Sequence, residues 1–161
     1  MNTGLSHNTT QRKYTRMNLL VLLAVCTIRT AAMAQSYDAG LQAYEEGDYV
    51  TALSEFIPLA EEEDATAQYY LGEMYYYGDG LRRNFEEAAR WYRMAAEQGN
   101  AIAQYKLGEM YFRGYGVPQD FEETIRWLRM AAEQGHVDAQ NSLGYMYSSD
   151  EWLRDFEEST R

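Results

Sequence analysis

Apolar positions along this chain return at helical intervals in two alternating registers. Ala67, Leu71, Met74 and Tyr75 fall at i, i+4, i+7 and i+8, and Phe85, Ala88, Trp91, Tyr92, Ala95 and Ala96 share a second stripe. Both are the spacing of a helix with one buried face. The stretches "YGDGL" at 77–81 and "GYGVP" at 114–118 interrupt the pattern. Gly78 and Gly114 stand where a helix would stop, Asn84 and Asp120 where the next would be capped, and Gly99 and Gly135 where that one would end. Each period therefore predicts a helix hairpin, and the fold class that follows is all-α.

The hairpin is written more than once. "WYRMAAEQG" at 91–99 returns as "WLRMAAEQG" at 127–135, and residues 67–102 match 103–138 at 22 of 36 positions without a gap. A third copy starts at Ala139 with "AQNSLGYMY", and a divergent half-copy, "GDYVTALSEFIPLAEEEDATAQ", begins at Gly47 in the same register. Self-similarity at this period predicts a solenoid, because one hairpin cannot bury its own apolar face and must stack on its neighbours. Gly72, Gly108 and Gly144 recur in mid-helix, where glycine costs about 1 kcal/mol relative to alanine. Repetition of that cost predicts close approach of a neighbouring helix, with Trp91 and Trp127 expected to fill the adjacent space. Met74, Met110 and Met146, and Met94 and Met130, are expected as core filler, and Tyr75, Tyr111 and Tyr147 as core positions of the repeat.

The marks A-x-x-x-L-G-x-M-Y, then G-x-G, then W-x-x-x-A-A-x-x-G occur twice in full, and in them the chain resembles the Sel-one-like repeat family, relatives of the tetratricopeptide repeats. The resemblance implies a right-handed α/α superhelix and covers roughly residues 37–161. The expected divisions are a divergent half-repeat at 37–66, repeats at 67–102 and 103–138, and a partial repeat at 139–161. The half-repeat departs from the family pattern, with Glu63 in place of the final glycine and Pro58 in its second helix. The end departs as well: "SSDEWLRDFEESTR" lacks both loop glycines, and the chain stops with Trp152, Leu153 and Phe156 awaiting a cover. A shortened ancestral array explains that ending, and self-association through the uncapped repeat is the alternative.

The first 34 residues stand apart. Arg12, Lys13 and Arg16 precede the apolar run "LLVLLAVCTI" at 19–28 and a small-residue stretch ending at Ala34, with no acidic residue before Asp38. That order is a secretory signal with its cut before Gln35, which makes the protein periplasmic or secreted. A membrane anchor needs roughly 20 apolar residues, and Arg29 interrupts this run at about half that length. A lipoprotein signal would use Cys26, which Val25 precedes poorly. On the signal reading the chain meets a membrane only transiently. Cleavage removes four of the 14 basic residues and leaves all 25 acidic ones, a strongly anionic product that repels phosphate backbones and argues against nucleic acid as a partner. It also removes the only cysteine, so disulfides and thiol chemistry leave with it.

No catalytic constellation emerges, and no metal or cofactor is expected. His7 lies in the targeting segment and His136 in an inter-helix loop, where it replaces Asn100; no zinc-type spacing accompanies either. Ser142, Ser148 and Ser149 lack a partner base and sit where another copy carries Lys106, Phe112 and Arg113. The pairs Glu86-Glu87, Glu122-Glu123 and Glu157-Glu158 fall in first helical turns, where negative charge suits the helix dipole. "EEED" at 61–64 has no calcium-loop spacing.

By analogy with tetratricopeptide stacking, the first helix of each unit lines the concave face. Tyr69, Glu73, Tyr76 and Tyr77, then Tyr105, Glu109, Phe112 and Arg113, then Asn141 and Tyr145 would point into it, an aromatic groove with acidic spots suited to a protein or peptide partner. The expectation is an exported, non-enzymatic scaffold, which is also the role the family resemblance implies. A vestigial paralogue is the second reading. A hydrolase acting on β-lactams or cell wall is the third; the cysteine-rich relatives linked to β-lactams supply no transferable residues, since their cysteines are absent.

Overall fold

The structure, a computed structural model, describes residues 32–148. Residues 1–31, with most of the expected targeting segment, and 149–161, with Trp152, Leu153 and Phe156, lie outside the described residues. Seven helices and no strand are present among the described residues: α1 (32–46), α2 (Tyr49–Glu61), α3 (Ala65–Tyr77), α4 (Phe85–Glu97), α5 (Ala101–Arg113), α6 (Phe121–Glu133) and α7 (Val137–Ser148). From α2 onward each packs against the next in the chain, which is the all-α hairpin solenoid the periodicity predicts. The expected cut before Gln35 falls inside α1, and Met33 packs against the first core cluster.

Capping explains where the helices begin and end. The side chains of Asp48, Asp64, Asn84, Asn100 and Asp120 accept hydrogen bonds from first-turn N–H groups of α2 to α6, satisfying donors that a helix start leaves open. His136 does the same for α7: its Nδ1 accepts from Ala139 N–H at 3.3 Å, and its ring stacks on Tyr105 at 4.7 Å. Within its inter-helix loop it is therefore both a cap and a packing partner. Gly78 and Gly114 cap α3 and α5 in the left-handed region and donate to the carbonyls of Met74 and Met110. At the end of the second helices, Gly99 and Gly135 have φ of +91° and +87°, and Glu63 takes the same conformation at +66° in the divergent unit.

Buried glutamines tie consecutive hairpins together. Gln68 and Gln104 donate to the carbonyls of Ala60 and Ala96, at 3.1 and 3.0 Å, and accept from Gln98 and Gln134 at 2.8 Å. Gln140 repeats the first bond to Ala132 at 3.0 Å. Each adds a second donor to a carbonyl at the end of the preceding helix, which also accepts from the backbone of Glu63, Gly99 or Gly135, and so ties the start of one hairpin to the end of the last.

Three core clusters follow the chain: Ala52, Phe56, Leu59, Leu71 and Met74; then Ala88, Tyr92, Leu107, Met110 and Trp127; then Leu128, Ala131, Ala139 and Met146. The repeating methionines Met74, Met110 and Met146 are buried in these clusters as expected. Tyr75 and Tyr111 are half-buried, whereas Tyr147 is exposed and accepts a hydrogen bond from Arg129.

The helix-centre glycines behave differently from one another. A Cβ on Gly72 would lie 2.5 Å from the Tyr92 ring, one on Gly108 3.1 Å from Leu128, and one on Gly144 would meet nothing within 4 Å among the described residues. Close approach is confirmed for the first two, but the filling residue is the one after each tryptophan. Trp91 and Trp127 turn the other way, onto the preceding core cluster, because adjacent helix positions point about 100° apart.

Candidate functional site

The face built by α3, α5 and α7 carries every residue expected at the groove, but in unlike states. On α3, Glu73 is buried. Its carboxylate accepts from the Tyr92 hydroxyl, and the Lys106 ammonium of α5 pairs with it at 3.0 Å. The Lys106 ammonium also lies 6.0 and 5.6 Å from the Tyr76 and Tyr77 ring centres. Burial is the largest single influence on Lys106 and opposes its charge, yet the Glu73 charge and hydrogen bond, with help from Tyr77, raise its pKa. The Tyr92 pKa is raised, first by burial and then by the Glu73 carboxylate. Glu73 is thus an internal ion-pair residue rather than an acidic spot open to a partner.

Around this pair the rings close ranks. Tyr69 meets Tyr70 and Tyr92 at 5.1 and 6.1 Å, and Tyr76 meets Tyr77, Phe85 and Tyr92 at 5.0, 5.2 and 6.5 Å. Tyr69 and Tyr76 are half-buried; Tyr77 alone of this group is exposed.

One repeat onward the same face is open. Between α5 and α7 lies a cavity of about 370 Å³, at the small end of the volumes that ligand pockets occupy. Glu109, Phe112, Arg113, Asn141 and Tyr145 of the expected set line it, joined by Leu128 and Ser142. Phe112 and Tyr145 are exposed, the latter at 71%. Tyr105 stands beside it rather than in its wall, half-buried against His136. The Tyr105 pKa is raised by burial first, then by the neighbouring Glu109 carboxylate. Arg113 reaches Glu109 only at 3.9 Å, and both side chains are well exposed.

The sequence reading placed these residues on one face but passed over what separates the two layers. Tyr92 is replaced by Leu128, and Lys106 by Ser142. Position-by-position differences between near-identical copies were the available signal: "WYRM" against "WLRM", and "AQYKLG" against "AQNSLG".

No cluster of three or more His, Cys, Asp or Glu suited to a metal is found among the described residues. None of the described helices is long and apolar enough to cross a membrane.

The hairpin architecture and its repeating face define a helical-repeat solenoid. The Sel1 repeat model matches residues 65–100, 101–136 and 137–152, and the chain belongs to the Sel1 repeat family, whose members typically mediate protein–protein interactions. Among solved structures it is similar to a Sel1 repeat protein from Oxalobacter formigenes, with 36% identity and a TM-score of 0.64 over 66% of this chain and 44% of that one. It is also similar to c5321, a protective antigen present in uropathogenic Escherichia coli strains, with 34% identity and a TM-score of 0.69 over 81% of this chain and 31% of that one. Helicobacter pylori cysteine rich protein B shares the fold at 17% identity, with a TM-score of 0.55 over 68% of this chain and 93% of that one. The chain thus spans less than half the length of the first two. A search of curated proteins gave no match.

Proposed function

We propose that this protein is an exported, non-enzymatic scaffold that holds a protein or peptide partner along the aromatic face of α3, α5 and α7. The observation that carries the reading is the open cavity between α5 and α7, where Phe112 and Tyr145 stand exposed beside Glu109 and Arg113. Exposed rings lose little rotamer entropy on binding and supply large contact areas, which suits a recognition surface. Export is supported by the order of basic, apolar and small residues at 12–34. No pair of residues on this face has the relation of nucleophile to base that a hydrolase needs. The interaction habit of Sel1 repeats points the same way.

The test compares the wild-type chain with a Phe112→Ala, Tyr145→Ala double variant in crosslinked capture from the exporting cell. Both side chains are exposed, so folding, followed by circular dichroism, should be unchanged while the captured partner is lost. Capture that persists in a folded double variant overturns the assignment of the face. N-terminal sequencing of the protein outside the cytoplasm should read from Gln35, and an intact Met1 there overturns export by a cleaved signal.

A further inference from the structure

Stepping the described structure by 36 residues superposes two environments of one design. In the first, Lys106 reaches from α5 to Glu73 on α3, with its ammonium 3.0 Å from the carboxylate and near the rings of Tyr76 and Tyr77. Tyr92 fills the remaining space and donates to the same carboxylate. In the second, Glu109 stands in place of Glu73 and Phe112 in place of Tyr76, but Ser142 replaces Lys106 and Leu128 replaces Tyr92. The carboxylate and the ring are kept while the ammonium and the phenol are gone, and the cavity of about 370 Å³ lies at that place.

Resting on the reading of this face as a partner site, we infer that the cavity receives a lysine side chain of the partner, in the position that Lys106 occupies one repeat earlier. Glu109 would take the ammonium, while Phe112, Leu128 and Tyr145 would pack the butyl stem and offer a ring face to the charge. Glu109 has the Tyr105 hydroxyl beside it as a neutral donor and Arg113 as a cation at 3.9 Å between exposed groups; an exposed pair of that kind contributes little and yields to a cation seated in the cavity. An anionic group in the same place would meet the Glu109 carboxylate and a chain of net charge −11, whereas a basic partner is drawn in by that field. A second copy of this chain is a poor donor. Its only lysines are Lys13, in the expected targeting segment, and Lys106, already paired with Glu73.

The probe is an acetylated pentapeptide with a central lysine flanked by glycine and alanine, titrated into the full chain and followed by amide and side-chain NMR shifts. A matched peptide carries norleucine, which keeps the stem and removes the charge. Saturable shifts at Glu109, Ser142 and Tyr145 are expected with the lysine peptide, weakened about tenfold or more by norleucine or by Glu109→Gln, the size of effect expected for one charge-assisted hydrogen bond. Ser142→Lys should abolish binding and raise the melting temperature, because the chain then supplies the missing ammonium itself. Equal binding of the norleucine peptide, or binding undiminished in Ser142→Lys, overturns the inference. Absence of any peptide binding, with partner capture still sensitive to Phe112 and Tyr145, overturns the lysine assignment alone. Capture insensitive to those rings removes the partner face on which it rests.

Discussion

The layer around Gly72 is closed and the layer around Gly108 is open, although the two are copies of one sequence. In the first, the Tyr92 ring lies against Gly72, its hydroxyl meets Glu73, and Lys106 completes a buried polar cluster. In the second, Leu128 lies against Gly108 with no polar reach, Ser142 is too short to cross, and Glu109 is left half-exposed at the edge of a cavity. The exchange of Tyr92 for Leu128 and of Lys106 for Ser142, with Phe112 in place of Tyr76 and Arg113 in place of Tyr77, therefore separates a structural joint from a candidate recognition site. A buried polar network is stabilising only when all its members are satisfied. The first layer keeps the full set, and the second has lost the two members that made it self-sufficient.

High pH should break the closed layer most severely. The tyrosines with raised pKa include Tyr92, Tyr69 and Tyr44, each pushed up by burial first and then by the Glu73 charge. A raised folded pKa means that the folded state holds a proton which the unfolded state releases near the model value of 10.0. The associated stability is fully present below that value and declines as pH rises above it, by about 1.4 kcal/mol per pH unit for each fully buried phenol that stays protonated. Lys106 acts in the same direction, since its raised pKa makes the ion pair fail as pH rises through and beyond 10.5. Thermal melts from pH 8 to 11.5 should be flat to about pH 10 and then fall steeply. A curve that stays flat to pH 11 contradicts the buried cluster.

Converting one layer into the other sharpens the contrast. Tyr92→Leu makes the first layer resemble the second, removing a fully buried ring and one of the donors to Glu73. The loss should be about 3 kcal/mol, combining cavity formation with a carboxylate left short of a donor. The variant should also show a shallower alkaline decline than wild type, because one raised phenol is gone. Leu128→Tyr is the reciprocal change: Gly108 leaves room for a ring, and its hydroxyl would face Glu109. Denaturant unfolding should place that variant within about 1 kcal/mol of wild type, with the proposed lysine site occluded.

Most of the fold was legible because hairpin stacking is written redundantly. Caps, loop glycines and apolar stripes recur at one period, so an error at one position is corrected at the next. The roles of Trp91 and Trp127 were less legible. The repeat shows that the two share an environment but not which way they face, and the small difference between adjacent helix positions decides that. Glu73 shows the same limit at the site. Its register places it on the α3 face, but only the Tyr92 and Lys106 side chains, from two other helices, make it internal. Exposure at a repeat position depends on residues one helix away, and three aligned copies do not display those pairings until the structure joins them.

The three helix-centre glycines provide the gentlest discrimination. Gly72→Ala puts a methyl 2.5 Å from the Tyr92 ring, and that ring, packed on both sides and hydrogen-bonded at its tip, cannot retreat. The resulting strain should exceed the helix-propensity gain and leave a net loss of about 2 kcal/mol. Gly108→Ala meets Leu128, at 3.1 Å from its Cδ2 and Cγ and 3.4 Å from its backbone nitrogen, where the leucine side chain borders the cavity. A few tenths of an ångström of movement removes the clash, so strain and propensity should nearly cancel. Gly144→Ala meets nothing within 4 Å among the described residues and should stabilise α7 by up to about 1 kcal/mol, the ordinary difference between glycine and alanine inside a helix. Urea midpoints of the three variants should therefore fall in the order 144, 108, 72 from most to least stable. Equal losses at all three would mean that the layers pack alike and that the openness of the second is not a property of the folded chain.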